Sequence, residues 1–193
     1  MPRQLRIIDP TGAYHLTDRG NNKQQTFYDY EDYRKLLSLF EIMQEKHGFL
    51  IYHYTLMPNH WHFLIRLTGK NILSECMQLI NSLYAQYFLK KYQRTGHFWQ
   101  GRFKSKHVDR DEYLSVAGKY IEMNPVRAGI VEKPEDWPHS SYRFYAFGEQ
   151  NSLVDPSPLY TRIHRDPAIR QAVYRALMPT KKGKRKIEWS FTQ

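Results

Sequence analysis

Apolar positions along the chain follow two rhythms, and their order sets an architecture. Across 29–47, Tyr33, Leu36, Leu37, Phe40 and Met43 recur every three or four residues, the spacing that gathers side chains on one face of a helix. Gly48 follows as the expected C-cap. A second helix is expected over 72–92, with Leu73, Met77, Ile80, Leu83, Tyr84, Tyr87 and Phe88 on one face. Between the two, 49–56 and 60–67 are β-branched and aromatic, and Met57-Pro58-Asn59 divides them as a tight turn. They read as an antiparallel hairpin. Upstream, 14–19 is a short β-prone run closed by Gly20-Asn21-Asn22.

After the second helix comes a basic, aromatic stretch, RTGHFWQGRFKSKH over 94–107, broken at Gly96 and Gly101. It reads as a short hairpin, or as a loop and a strand. Asp109 followed by Glu112 resembles a capping box. The helix it opens is expected to run to about Asn124, where Pro125 stops it. Strand, helix, strand, strand, helix, strand, helix is the order of an α+β fold. It predicts a ferredoxin-like (RRM-like) antiparallel sheet with helices on one face and one added helix. There is no internal repeat. The pattern weakens beyond Val131, although Asp166-Pro167 opens a further helix with Ala168, Ala172, Val173, Ala176 and Leu177 as its apolar face. We divide the chain into a domain at 1–146 and a C-terminal extension at 147–193. The extension carries that helix and a basic tail, KKGKRK at 181–186, with Trp189 and Phe191 beyond it.

Composition narrows the function. The 193 residues carry 29 Lys+Arg against 19 Asp+Glu, a net charge of +10. Such a surplus favours a polyanionic partner, nucleic acid or an anionic membrane. The 15 Tyr, 10 Phe and 4 Trp offer flat faces on which bases can stack. The longest apolar stretch, around 49–57, is interrupted by His53 and falls short of the ~20 residues of a membrane span. The first ten residues have no signal-peptide core, and Cys76 is the sole cysteine. Both fit a reducing cytoplasm.

The candidate chemistry sits at two places. In His60-Trp61-His62, alternation along a strand puts both imidazoles on one face and Trp61 on the other. The pair reads either as satisfied strand histidines or as two ligands on a rigid base. Zinc sites take three or four His, Cys or carboxylate ligands. Two imidazoles plus one oxygen instead suit Mg2+ or Mn2+ during phosphoryl transfer. Tyr120 and Asn124 lie four apart on the expected helix and share a face with Tyr113, Val116 and Ala117, so that this stripe is expected to pack toward the sheet. Tyr120 is either a core tyrosine with its hydroxyl at the rim or a group facing the same ion, with the Asn124 amide oxygen as third ligand.

Five ordered blocks now stand together. They are Tyr14-His15 with Arg19-Gly20-Asn21-Asn22; 57–62 (MPNHWH); 96–102 (GHFWQGR); 120–129 (YIEMNPVRAG); and Trp137-Pro138 with Ser140-Ser141-Tyr142. Over roughly 10–146 the chain resembles the REP-associated tyrosine transposases, relatives of the single-tyrosine HUH transposases of small bacterial insertion sequences. The resemblance implies His60 and His62 as the metal pair and Tyr120 as nucleophile. Asn124 falls where the wider class places Gln, one methylene longer. It further implies single-strand DNA cleavage and rejoining through a 5′-phosphotyrosine link, with Mg2+ or Mn2+ and no nucleotide cofactor. The expected substrate is single-stranded or hairpin DNA at repetitive extragenic palindromes. The expected protein is bacterial and cytoplasmic, nucleoid-associated when bound, a monomer or a homodimer.

Candidate DNA contacts are Arg94, Trp99, Arg102, Lys104 and Lys106 in the basic stretch, and Arg19 and Asn21 beside the first strand. Trp99 and Phe103 read as base platforms or as core. The rival readings are a hairpin-binding module without cleavage, a metal-dependent nuclease that hydrolyses DNA, and a structural RNA-binding protein.

Overall fold

The computed structural model describes residues 7–69, 72–108 and 111–178. The tail at 181–186, Trp189, Phe191 and Asp109 of the expected capping box lie outside the described residues, and so does the side chain of Glu112.

Four strands form one antiparallel sheet: β1 (Ala13–Arg19), β2 (Leu50–Met57), β3 (His60–Arg66) and β4 (Lys104–Val108), in the order β2-β3-β1-β4. With helices α1 (Tyr30–His47) and α2 (Leu73–Lys91) as the connections, this is the expected ferredoxin-like order. The basic stretch resolves into a loop and a strand. Asp29 caps α1 through a reciprocal capping box with Asp32, and Gly48 ends it in a left-handed conformation at φ 74°.

The two faces of the sheet do different work. Tyr14, Leu16, Trp61, Phe63, Ile65, Tyr54 and Leu56 join the apolar stripes of α1 and α2 in the main core. The other face carries a smaller cluster of Ala13, Tyr52 and Leu64 beneath Leu114, Ala117 and Ile121 of α3 (Asp111–Glu122). The connecting helices thus share one face, and the added helix lies on the other.

The buried stripe of α3 departs from the expected one. Tyr113 is 45% exposed and Val116 is half-buried, while Leu114 and Ile121 are fully covered. The positions 114, 117, 118 and 121 follow helical spacing more closely than the aromatic residues do, so Tyr120 sits at the margin of the stripe. Pro125 does not stop the helical path. The backbone breaks at Met123, and Pro125 lies in the first turn of α4 (Asn124–Arg127), where a missing N–H costs nothing.

Three short helices follow: α5 (Tyr142–Phe147), α6 (Pro158–Ile163) and α7 (Pro167–Ala176). The expected cap of α7 holds, since Asp166 accepts from the Ala168 N–H. Its expected apolar face does not. Ala168, Ala172, Ala176 and Leu177 are exposed, and Tyr174 is the residue that is buried. Alanines gain little from burial, whereas one tyrosine ring covers far more area.

The segment before and after α5 also shields the β2 edge. The Leu56 N–H donates to the His139 carbonyl, the Ser141 N–H to the Tyr54 carbonyl, and the Asp155 N–H to the Ile51 carbonyl. At the opposite edge, β4 pairs with no further strand among the described residues and carries Lys104 and Lys106, charges that discourage edge-to-edge pairing. No helix among the described residues is long and apolar enough to cross a membrane.

Candidate active site

Strand register decides what meets on the α3 face. Thr17 of β1 stands opposite His62 on one side and Lys104 on the other, and Arg19 stands opposite His60. His15 pairs with Leu64 and with Lys106, one step along the same face. His15, Thr17, Arg19, His60, His62, Lys104 and Lys106 therefore share one surface of three adjacent strands.

Thr17, Arg19, His60, His62 and Lys104 of this surface border a cleft of about 550 Å3. Its floor is Thr17, His60 and His62; Asp18, Arg19, Gln100, Gly101, Arg102 and Lys104 line one side, and Tyr120 and Asn124 close the other. Arg19, Arg102 and Lys104 outnumber Asp18 among the lining charges, so the cleft is set for an anion. The loop before β4 is fixed to β1 by the Gly20–Trp99 bridge and by two backbone bonds, Asn21 N–H to Phe98 and Gln100 N–H to Arg19.

The three residues expected to do chemistry come together. The Tyr120 ring stands edge-on to His62 at 6.3 Å between centroids, and His60 and His62 are 5.0 Å apart. Arg127 lies over the Tyr120 ring at 4.5 Å. Asn124 donates its amide N–H groups to the carbonyls of Tyr120 (3.0 Å) and Ile121 (3.2 Å), which assigns its oxygen to the other end of the amide.

His60 and His62 each have their Nδ1 engaged. His60 Nδ1 is 2.6 Å from Asn59 Oδ1, and His62 Nδ1 is 2.9 Å from His15 Nε2. Burial pushes His60 and His15 down to about 4 and holds His62 well below its ordinary value. All three favour the neutral form, in which each ring keeps one N–H and one lone pair.

A divalent cation fits this donor set. No group of three or more His, Cys, Asp or Glu among the described residues is placed to hold a metal. The ion would therefore rest on two imidazoles, with the Asn124 oxygen, water and phosphate oxygen completing the shell. Cys76 is buried away from the cleft, in the α2 core.

The other expected DNA contacts fall at different distances from this centre. Lys106 follows Lys104 on β4, and Asn21 lies beside the docked loop. Trp99 is half-buried, gives its indole N–H to the Asn81 carbonyl and packs on Tyr84, and Phe103 is core. Arg94 sits at the far end of α2, over Tyr28. Sequence reading missed His15, Thr17, Gln100 and Arg127. His15, Gln100 and Arg127 were inside the motif blocks, but only the folded geometry gives them neighbours.

Comparison with known proteins extends these observations. The profile of the family described as "Transposase IS200 like" matches residues 10–124. A Haemophilus influenzae protein named a putative REP-associated tyrosine transposase is 29% identical over 104 residues, 45% of this chain; the match spans 55% of that relative's length. A solved REP-associated tyrosine transposase bound to a REP hairpin shares the fold with TM-score 0.65 and 22% identity, over 80% of this chain and 92% of its own.

Proposed function

The chain belongs to the IS200-like transposase family, and from that premise we propose that it cuts and rejoins single-stranded DNA at hairpin-forming repetitive palindromes through Tyr120. The observation that carries this reading is the Tyr120 ring facing His62 at 6.3 Å across a cationic cleft. A core tyrosine has no need of such an opening.

In this reading His60, His62 and the Asn124 oxygen hold Mg2+ or Mn2+. When bound there, the ion would supply positive charge to stabilise the phosphate under attack and its leaving group. Tyr120 attacks phosphorus in line. The bond from phosphorus to the phenolic oxygen forms, the bond to the 3′ oxygen breaks, and the phenolic proton passes by way of water to the departing 3′ oxygen, which leaves as a hydroxyl. Arg127 keeps the ring over the cleft and adds a charge beside the phosphate. The 5′-phosphotyrosine conserves the ester, so a second 3′-hydroxyl can reverse the step and join a new end. No nucleotide cofactor is needed.

Arg19, Arg102 and Lys104 hold the strand in the cleft, and Lys106 and Asn21 extend its path. Arg94 and Trp99 act at the periphery, where a hairpin stem would pass. The assembly is a monomer or a homodimer, acting on chromosomal DNA in a bacterial cytoplasm.

The test uses labelled hairpin oligonucleotides carrying a single-stranded flank, with Mg2+ or Mn2+, on a denaturing gel. A protein–DNA adduct that disappears in Tyr120→Phe is the expected result. Cleavage without an adduct would mean hydrolysis instead, and binding without cleavage would mean an inert hairpin-binding module.

A further inference from the structure

We propose that His15 is a positioning residue for the metal site: it accepts the Nδ1–H of His62 and so presents the opposite nitrogen, Nε2, to the ion. The inference rests on the metal-assisted reading above and deepens it.

The argument starts with His60. Asn59 gives its side-chain N–H to the Lys23 carbonyl at 3.1 Å, which fixes the orientation of its amide. The atom 2.6 Å from His60 Nδ1 is therefore the Asn59 oxygen, which only accepts. His60 carries its hydrogen on Nδ1 and leaves Nε2 with a lone pair. His62 is its counterpart, two residues along the same face. Its Nδ1 meets His15 Nε2 at 2.9 Å.

Two neutral imidazoles in contact can share their proton in either sense. If His15 donated, His62 would carry its hydrogen on Nε2 and could not coordinate there, while its Nδ1 would be occupied. Only donation by His62 leaves a ligand nitrogen. His15 must then accept on Nε2 and carry its own hydrogen on Nδ1. Metal-bound imidazoles generally give their second N–H to an acceptor that fixes tautomer and ring angle. Asn59 serves His60 in this way, and His15 serves His62.

The placement of His15 supports a dedicated role. It is only 7% exposed and belongs to β1, the neighbouring strand, diagonal to His62 in the register. Its ring stacks on His62 with 27° between planes and also meets the edge of Tyr120 at 6.1 Å. One side chain thus touches a ligand and the nucleophile together.

The experiment measures Mn2+ affinity of the full chain without DNA, by electron paramagnetic resonance titration. His15→Phe keeps a ring of similar size and removes the acceptor. His15→Gln keeps an acceptor near the same place. The expected result is about 10- to 100-fold weaker Mn2+ binding in His15→Phe, with most of the affinity retained in His15→Gln. Adduct formation by His15→Phe should recover as Mn2+ is raised, which a packing defect would not show. Unchanged Mn2+ affinity in His15→Phe, or equal losses in both variants, overturns the inference. If His15→Phe does not fold, the Gln variant decides alone: retention supports the role and a large loss overturns it. A wild-type protein that neither binds Mn2+ nor forms the adduct sinks the metal-assisted reading itself.

Discussion

At the scale of single residues, neutrality of buried imidazoles is the shared device, and it has a cost in acid. His139 lies flat on Tyr33 with ring centroids 3.6 Å apart, and burial holds it down to about 4, as it does His15 and His60. In the unfolded chain these groups titrate near ~6.5. Between these values the unfolded state takes up protons that the folded state refuses. Stability is therefore complete above about pH 6.5 and falls as the pH drops toward 4. Urea midpoints of the metal-free protein should decline across that window. His139→Phe keeps the stack and cannot be protonated, so its decline should be shallower; an identical slope would remove His139 from the account. The sequence showed His60, His62 and Tyr120 because alternation and motif order act over short distances. It hid His15 because its partner, His62, lies 47 residues away and spacing does not say which strands lie side by side.

At the scale of elements, the helix that carries Tyr120 is held from two sides. Beneath it, Gly118 passes so close to His53 that an added Cβ would stand 2.5 Å from the ring. At its end, the fully buried Glu122 carboxylate accepts from His53 Nδ1 (2.9 Å), the Ser141 hydroxyl (2.6 Å) and the Tyr174 hydroxyl (2.6 Å). Those donors come from β2, the start of α5 and α7, so one carboxylate ties the helix of Tyr120 to the sheet and to the C-terminal helices. A buried carboxylate persists only with such partners. Glu122→Ala takes the carboxylate from all three donors, leaving Ser141 only its long bond to the Tyr54 carbonyl, and should cost about 3–5 kcal/mol. Tyr174→Phe removes a single bond to a charged group and should cost about 1.5–3 kcal/mol. Because the two share a partner, the double variant should lose less than the sum. Urea unfolding of the four proteins checks this cycle, and strict additivity would mean that Tyr174 acts apart from Glu122. None of this was legible from periodicity. The long helices α1 and α2 carry enough repeats to show a face, whereas α5 and α6 span six residues each, too few for a period to register. In α7 a run of alanines imitated an apolar face, and a lone tyrosine makes the contact.

At the scale of the whole molecule, the charge surplus matters through where it is placed. A net +10 spread evenly would bind any polyanion weakly. Here the antiparallel register brings Lys104 and Lys106 of the β4 edge onto the same face as Arg19 and the histidines, and the docked loop adds Arg102 to the cleft. Three cations, Arg19, Arg102 and Lys104, thus border the cleft that holds Tyr120, and Lys106 continues the same face. If each of the four neutralises one phosphate of a single strand, log affinity against log salt should have a slope of about −3, from about −0.7 per contact. Arg102→Ala and Lys104→Ala should each make that slope shallower by about 0.7 and weaken binding equally for all sequences, since phosphate contacts position a strand without reading it. Arg94→Ala, at the far end of α2, should leave the slope for a short unpaired strand unchanged and alter it only when a duplex stem is attached. Fluorescence anisotropy over a salt series, with a single strand and with a stemmed hairpin, separates the two. A slope for the single strand that responds to Arg94 but not to Lys104 would move the DNA path off the cleft and detach the charge from the site it is argued to serve.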